Sequence, residues 1–152
     1  TAGERANFWA APFEIDGEFG GLGAFPGPIP YAETARIRTD RVDQVADLIG
    51  NTTIAIVATD ALLSKAQLKR LAVAAQDGIG RAISPAHTPL DGDLIFSVST
   101  RVRPLADPVF EAVELGHAAA ACLARAIGRA IYLATPAPGD TMPTWRQRWG
   151  GG

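Results

Sequence analysis

From residue 53 onward the hydrophobic positions fall into four stretches whose spacing alternates. Thr53-Ile54-Ala55-Ile56-Val57-Ala58-Thr59 starts abruptly after Gly50-Asn51-Thr52. Val, Ile and Thr crowd at χ1 and fit a pleated surface, so residues 53–59 predict a strand. The run is apolar on both faces, which predicts a strand covered on both sides. Residues 64–83 switch to helical spacing. Leu68, Leu71, Ala72, Ala75 and Ile79 make the buried stripe, Lys65, Lys69 and Arg70 face water, and Ser64 with Gln67 forms a capping box. Residues 93–100 alternate again, with Phe96, Val98 and Thr100 on one face and Asp93, Ile95, Ser97 and Ser99 on the other. Residues 108–133 form a second long helix, capped by Asp107 with Pro108 at its first position. Its segment Gly116–Cys122 is small-sided, which predicts burial on more than one side.

The first part of the chain carries less periodicity. Glycines and prolines punctuate residues 1–33, with one short strand expected within Phe8 to Ile15 and Phe19 and Phe25 as anchors of a packed loop. That loop lacks the Gly-Lys-Ser/Thr ending of a phosphate cradle. Residues 34–49 read as a linker ending in a short helix, with Asp40 as N-cap and Gly50-Asn51 as the stop. Residues 136–152 read as a loose tail, with Trp145 and Trp149 as anchors on a neighbour. Strand, helix, strand, helix is a layered α/β domain. The pattern alone does not separate a two-sheet arrangement from a parallel α/β sheet.

With 152 residues, 47% hydrophobic and 20% charged, the chain can bury a core and is one domain or part of one. A net charge of −2 with scattered Lys and Arg points away from nucleic-acid and anionic-membrane partners. Cys122 is the single cysteine, so no intrachain disulfide forms. With no leader visible, the cytoplasm is the expected compartment.

Thr52 sits at the first position of the first strand. If the Asn51–Thr52 bond were cut, Thr52 would carry a nucleophile and a base on one residue, its hydroxyl and its α-amine. Thr53 competes, and because adjacent strand residues point to opposite faces only one of the two can face a pocket. On residue types alone, an ordinary buried strand after a turn explains the same stretch. Asp91 and Asp93, two apart at the entrance of the second strand, can lie on one side. Asp91-Gly92 is also an ordinary turn dipeptide. His87 in the loop and His117 in the helix remain. His117 reads as a hydrogen-bonded core histidine, a His87-Asp91-Asp93 metal site lacks a further His or Cys, and Cys122 is buried by pattern. No Gly-x-Ser-x-Gly elbow is present.

Asn51-Thr52-Thr53-Ile54, Val57-Ala58-Thr59-Asp60, Lys65-Ala66-Gln67-Leu68-Lys69-Arg70 and Pro89-Leu90-Asp91-Gly92-Asp93 occur in that order. With Trp9–Glu14 and Gly17–Gly21 upstream, they resemble the self-processing aminopeptidases. That family includes D-aminopeptidase/esterases, β-peptidyl aminopeptidases and nylon-oligomer hydrolases. The likeness spans roughly residues 8–134, and Thr with paired Asp is most similar to the nylon-oligomer (6-aminohexanoate-oligomer) hydrolase branch. The resemblance implies an αββα sandwich like the N-terminal-nucleophile hydrolases but of distinct topology. It implies autocleavage between Asn51 and Thr52, Thr52 as nucleophile, and Asp91 and Asp93 as its partners. Residues 1–51 would close the larger chain, and 52–152 would form the smaller chain of one domain. No metal or organic cofactor is implied. The implied partners are a small amide or peptide substrate, the two chains of the cut precursor, and further copies as an oligomer of heterodimers. The family's oxyanion donor is an Asn before the cleavage site. Asn7 does not match its motif, so that donor and a helpful Lys are expected in a preceding segment. An acyltransferase of the ornithine acetyltransferase type and an uncleaved assembly subunit are the rival functions.

Overall fold

A computed structural model of the chain describes residues 5–34, 52–140 and 142–150. Among these the order is a 3-10 turn (Ala11–Phe13), α1 (Tyr31–Thr34), β1 (Ile54–Ala61), α2 (Lys65–Ala82), β2 (Leu94–Arg103), α3 (Phe110–Leu133) and α4 (Trp145–Trp149). The helix expected over residues 40–49 and the Gly50-Asn51 junction lie outside the described residues.

β1 and β2 pair in parallel, from Ile54 opposite Leu94 to Thr59 opposite Ser99. A parallel pair needs a crossover, and α2 supplies it. The result is a mixed α/β fold with a small parallel sheet. The capping box of α2 forms as the sequence predicts. Ser64 Oγ accepts from the Gln67 N–H, and Gln67 Oε1 accepts from the Ser64 N–H at 2.9 Å. At α3 the Asp107 carboxylate accepts from the N–H groups of Val109 and Phe110, at 2.9 and 3.0 Å. Asp107 therefore does the capping although the regular helix begins at Phe110.

The helices cover one face of the sheet. Ile95 and Ala61 are buried there with Leu71, Ala75 and Ile79 of α2 and Ala119 and Leu123 of α3. The same face carries Ser97 and Ser99, whose hydroxyls donate to the Leu68 and Ala61 carbonyls. These bonds make two serines tolerable on an inner face. The other face is the more apolar of the two and is open among the described residues. Ile54, Ile56 and Phe96 are 69, 68 and 55% exposed, and Leu94 and Val98 are exposed beside them. Among the described residues the expected cover on both sides of β1 is thus present on one side only.

α2 and α3 touch closely because Gly78 has no side chain. A Cβ there would lie 2.5 Å from the Ala120 carbonyl oxygen and 2.9 Å from Leu123 Cβ. Gly116, Ala119, Ala120, Leu123, Ala124 and Gly128 make the single buried stripe of α3. The expectation of burial on several sides fails for the described residues. So do two readings that followed from it, because His117 and Cys122 are exposed.

A second cluster joins the two ends of the chain. Phe8, Ala10, Phe19 and Ala124 are buried, with Tyr132 and Trp145 against them. Pro12 lies in the 3-10 turn where a short strand was expected. Its missing N–H and fixed φ suit a helical turn start and not a ladder. The tail, expected to be loose, holds α4, and Trp145 donates its indole N–H to Ala6 O at 2.9 Å and stacks on Phe8 at 5.7 Å. Trp145 therefore anchors the tail on its own chain.

Glu14 closes the glycine-rich loop on itself, and Glu18 ties it to α3. Glu14 Oε1 accepts from the Phe19 and Gly21 N–H groups at 2.8 and 3.0 Å. Glu18 takes a two-point bond from the Arg125 guanidinium, and Arg129 stands 3.6 Å away. The Arg125 hydrogen bond is the main cause that holds the Glu18 carboxyl below its ordinary value of 4.5. A carboxylate with a depressed folded pKa stabilises the fold fully above its unfolded value. That contribution is lost as pH falls through the lower folded value. The melting-temperature difference between the parent and Glu18→Gln should therefore be largest near neutral pH and should shrink only below about pH 4.5. A difference that stays constant from about pH 6 to about pH 3 would show that the ion pair contributes nothing to the fold.

Candidate active site

The β1 and β2 starts lie side by side, so the residues leading into them meet. Thr53 is half-buried on the helix side, and both its backbone groups are engaged. Its C=O accepts from the Leu94 N–H at 2.9 Å, and its N–H donates to Asp93 Oδ1 at 3.0 Å. Thr52 is exposed. Alternation places it with Ile54 and Ile56, on the open side. Of the two candidate threonines, Thr52 is the one whose side chain is accessible.

Gly92 faces Thr52. A Cβ on Gly92 would stand 2.7 Å from Thr52 Oγ1 and 3.6 Å from its Cγ2. A side chain at position 92 would therefore displace the Thr52 hydroxyl. Asp93, with 9% of its side chain exposed, uses its two oxygens on different donors. Oδ1 takes the N–H of the peptide unit that follows Thr52, and Oδ2 lies 3.0 Å from His87 Nδ1. Asp91 closes its own loop. Its Oδ2 accepts from the Thr88 N–H at 2.7 Å, and its N–H donates to Thr88 O at 3.0 Å. Thr52, Gly92 and Asp93 are thus in direct contact, with Asp91 one residue further along the same loop. Asn51 lies outside the described residues.

Asn7 spends its amide on the Leu22 and Gly23 carbonyls, at 3.3 and 3.1 Å, and so fastens the glycine-rich loop. No group of three or more His, Cys, Asp or Glu side chains is placed to hold a metal among the described residues. Sequence reasoning missed two residues. In sequence Gly92 reads as half of a turn dipeptide, and His87 reads as a metal ligand or triad histidine without the further residues either would need. Nothing in their local sequence signals a contact made across two strand entrances.

The chain belongs to peptidase family S58, whose pattern matches residues 17–144. An uncharacterised aminopeptidase of Mycobacterium tuberculosis is 45% identical over 111 residues, which are 66% of this chain and 32% of that protein. Another from Mycobacterium leprae is 47% identical over 105 residues, 62% of this chain and 28% of its own. A 6-aminohexanoate-oligomer endohydrolase of Paenarthrobacter ureafaciens is 39% identical over 51 residues, 34% of this chain and 14% of the enzyme. The chain thus spans about a third or less of the length of the relatives it matches. Among the described residues no helix is long and apolar enough to cross a membrane.

Proposed function

We propose that this chain carries the nucleophile of a self-processing amide hydrolase. The observation that supports this best is the convergence of Thr52 Oγ1 on Gly92, with the Asp93 carboxylate on the next peptide unit. In the precursor the Thr52 hydroxyl attacks the Asn51 carbonyl. The peptide becomes an ester to Thr52 Oγ1, which frees the α-amine, and water then opens the ester. That amine titrates near ~8 in model peptides, so it can accept the hydroxyl proton near neutral pH. The freed Thr52 next attacks a substrate amide carbonyl. The leaving amine takes the proton, an acyl-enzyme remains, and water hydrolyses it. Of Asp91 and Asp93, one holds the new amine and the other orients the first.

The open sheet face supports the sandwich architecture. Ile54, Ile56, Phe96 and Val98 form an apolar surface that a second sheet would cover, with Thr52 at its edge. The substrates in this reading are short amides with a free amine, β-peptides or linear aminohexanoate oligomers. The names of the relatives favour these classes. The working unit is an oligomer of cut heterodimers in the cytoplasm.

The test is the intact mass of the full-length protein. Two associated chains should meet at Asn51/Thr52, and Thr52→Ala should stay whole. A smaller chain beginning at Thr53 would move the nucleophile by one residue. An uncut chain that still hydrolyses alanine p-nitroanilide would end the self-processing reading. An acyltransferase would move the acyl group to an added amine instead of water, and an assembly subunit would neither cut nor trap acyl groups.

A further inference from the structure

We propose that His87 is a positioning residue that fixes Thr52 through the Asp93 carboxylate; this rests on the reading of Thr52 as nucleophile. His87 Nδ1 lies 3.0 Å from Asp93 Oδ2, and Nε2 lies 3.4 Å from the Gln76 carbonyl oxygen. An ionised carboxylate only accepts, so Nδ1 is the nitrogen that donates to Asp93. The ring is 43% exposed on its side chain, yet both nitrogens face acceptors. The backbone at His87 has a φ of +55°, a left-handed conformation uncommon for a residue with a Cβ. Such a conformation persists where surrounding structure over-determines it, and it turns this imidazole toward Asp93.

The chain's register does not need this contact. The Thr53 C=O already pairs with the Leu94 N–H, and the ladder continues from there. What the contact does is stop rotation of the carboxylate. The final torsion of an aspartate is broad, so one bond to the Thr53 N–H leaves Asp93 loose. A second bond, from His87 to the other oxygen, fixes the plane. A fixed plane fixes the Thr52–Thr53 peptide, and with it the hydroxyl packed on Gly92. The chain of contacts runs from His87 to Asp93, then to the peptide after Thr52.

Asparagine and glycine both tolerate φ near +55°, so they separate the side chain from the backbone. The Asn amide nitrogen also falls near the place of Nδ1, whereas that of Gln falls near Nε2. The experiment follows cleavage at Asn51/Thr52 by intact mass over time in full-length precursor, with a thermal melt for each variant. His87→Gly should cleave at least about 10-fold more slowly than the parent, and His87→Asn within about threefold of it. His87→Gln should resemble the glycine variant, and this pair decides if His87→Gly fails to fold. Asp93→Asn should also cleave slowly, and the double variant His87→Gly/Asp93→Asn no more slowly than Asp93→Asn alone, because the two act as a unit. Parental cleavage in His87→Gly, equal rates for the Asn and Gln variants, or multiplying defects in the double variant would each overturn the proposal. Thr52→Ala is run beside them. If it stays whole while His87→Gly cuts normally, only the role of His87 falls. If it is cut like the parent, or if the parent itself is never cut, the nucleophile reading falls first.

Discussion

Asp93→Asn should lower amide turnover at least ~100-fold while leaving the melting temperature almost unchanged. The substitution is nearly isosteric, so packing between the two strand starts survives. Its oxygen can still accept the Thr53 N–H, which Asp93 Oδ1 now accepts at 3.0 Å. Its amide nitrogen, however, turns a donor toward His87 Nδ1, where Oδ2 now accepts at 3.0 Å. The charge that would hold the Thr52 α-amine is also gone. A positioned acid–base group typically contributes ~10²–10⁴-fold in rate, whereas one lost hydrogen bond costs only about 1 kcal/mol of stability. Chemistry and folding therefore separate cleanly at this position. Asp91→Asn should lower turnover by a similar factor, and it is the sharper control on the turn reading. Asparagine can take the Thr88 N–H that Asp91 Oδ2 takes at 2.7 Å, so the loop closes as before. Turnover of alanine p-nitroanilide and of a linear aminohexanoate dimer, with a melt of each variant, reads both effects. Parental turnover in both variants would return the two aspartates to loop closure and leave Thr52 without its partners.

The helices and strands were legible in the sequence because local chemistry determines them. Ser64 with Gln67, the α2 stripe, Asp107 and the two β-branched runs all specify structure within a turn or two. The sheet's orientation was not legible. The face of Ile95, Ser97 and Ser99 turned inward, and the more apolar face of Phe96 and Val98 stayed open. Period-two alternation reports that two faces differ, and the serines' bonds to the Leu68 and Ala61 carbonyls make the less apolar face tolerable against the helices. α3 misled for a related reason. A run of alanines fits equally well against one partner or several, so small size carries no count of neighbours. His117 and Cys122 were misplaced with it.

The candidate site was legible in part for a different reason. Thr52 and the Asp91-Gly92-Asp93 loop stood out through a resemblance across separate motifs, and their positions put them at neighbouring strand starts. The contacts between them, Thr52 with Gly92 and the Thr53 N–H with Asp93, span 40 residues of chain, and no local pattern encodes a pair at that distance. His87 and Gly92 acquire meaning only once β1 and β2 are placed in parallel register.

Gly92→Ala carries the other large expected effect, and its sign differs between stability and chemistry. Gly92 is exposed in the loop before β2. Removing a glycine from such a site restricts the unfolded chain and commonly adds about 0.4–1 kcal/mol of stability where the backbone allows it. The new methyl group would stand 2.7 Å from Thr52 Oγ1 and 3.7 Å from Thr52 Cβ. A hydroxyl on a short β-branched side chain has few ways to retreat. It must change χ1 or carry the strand start with it, and either move takes the oxygen from the place the methyl now crowds. Misplacing a reacting atom by about 1 Å can cost 10²-fold in rate. Gly92→Ala should thus leave the melting temperature equal or slightly raised while slowing both self-cleavage and amide turnover by about 100-fold. The same variant distinguishes Thr52 from Thr53, because the side chain that meets Gly92 is that of Thr52. A Gly92→Ala precursor that cuts itself at the parental rate would mean that the hydroxyl beside Gly92 is not the one that reacts.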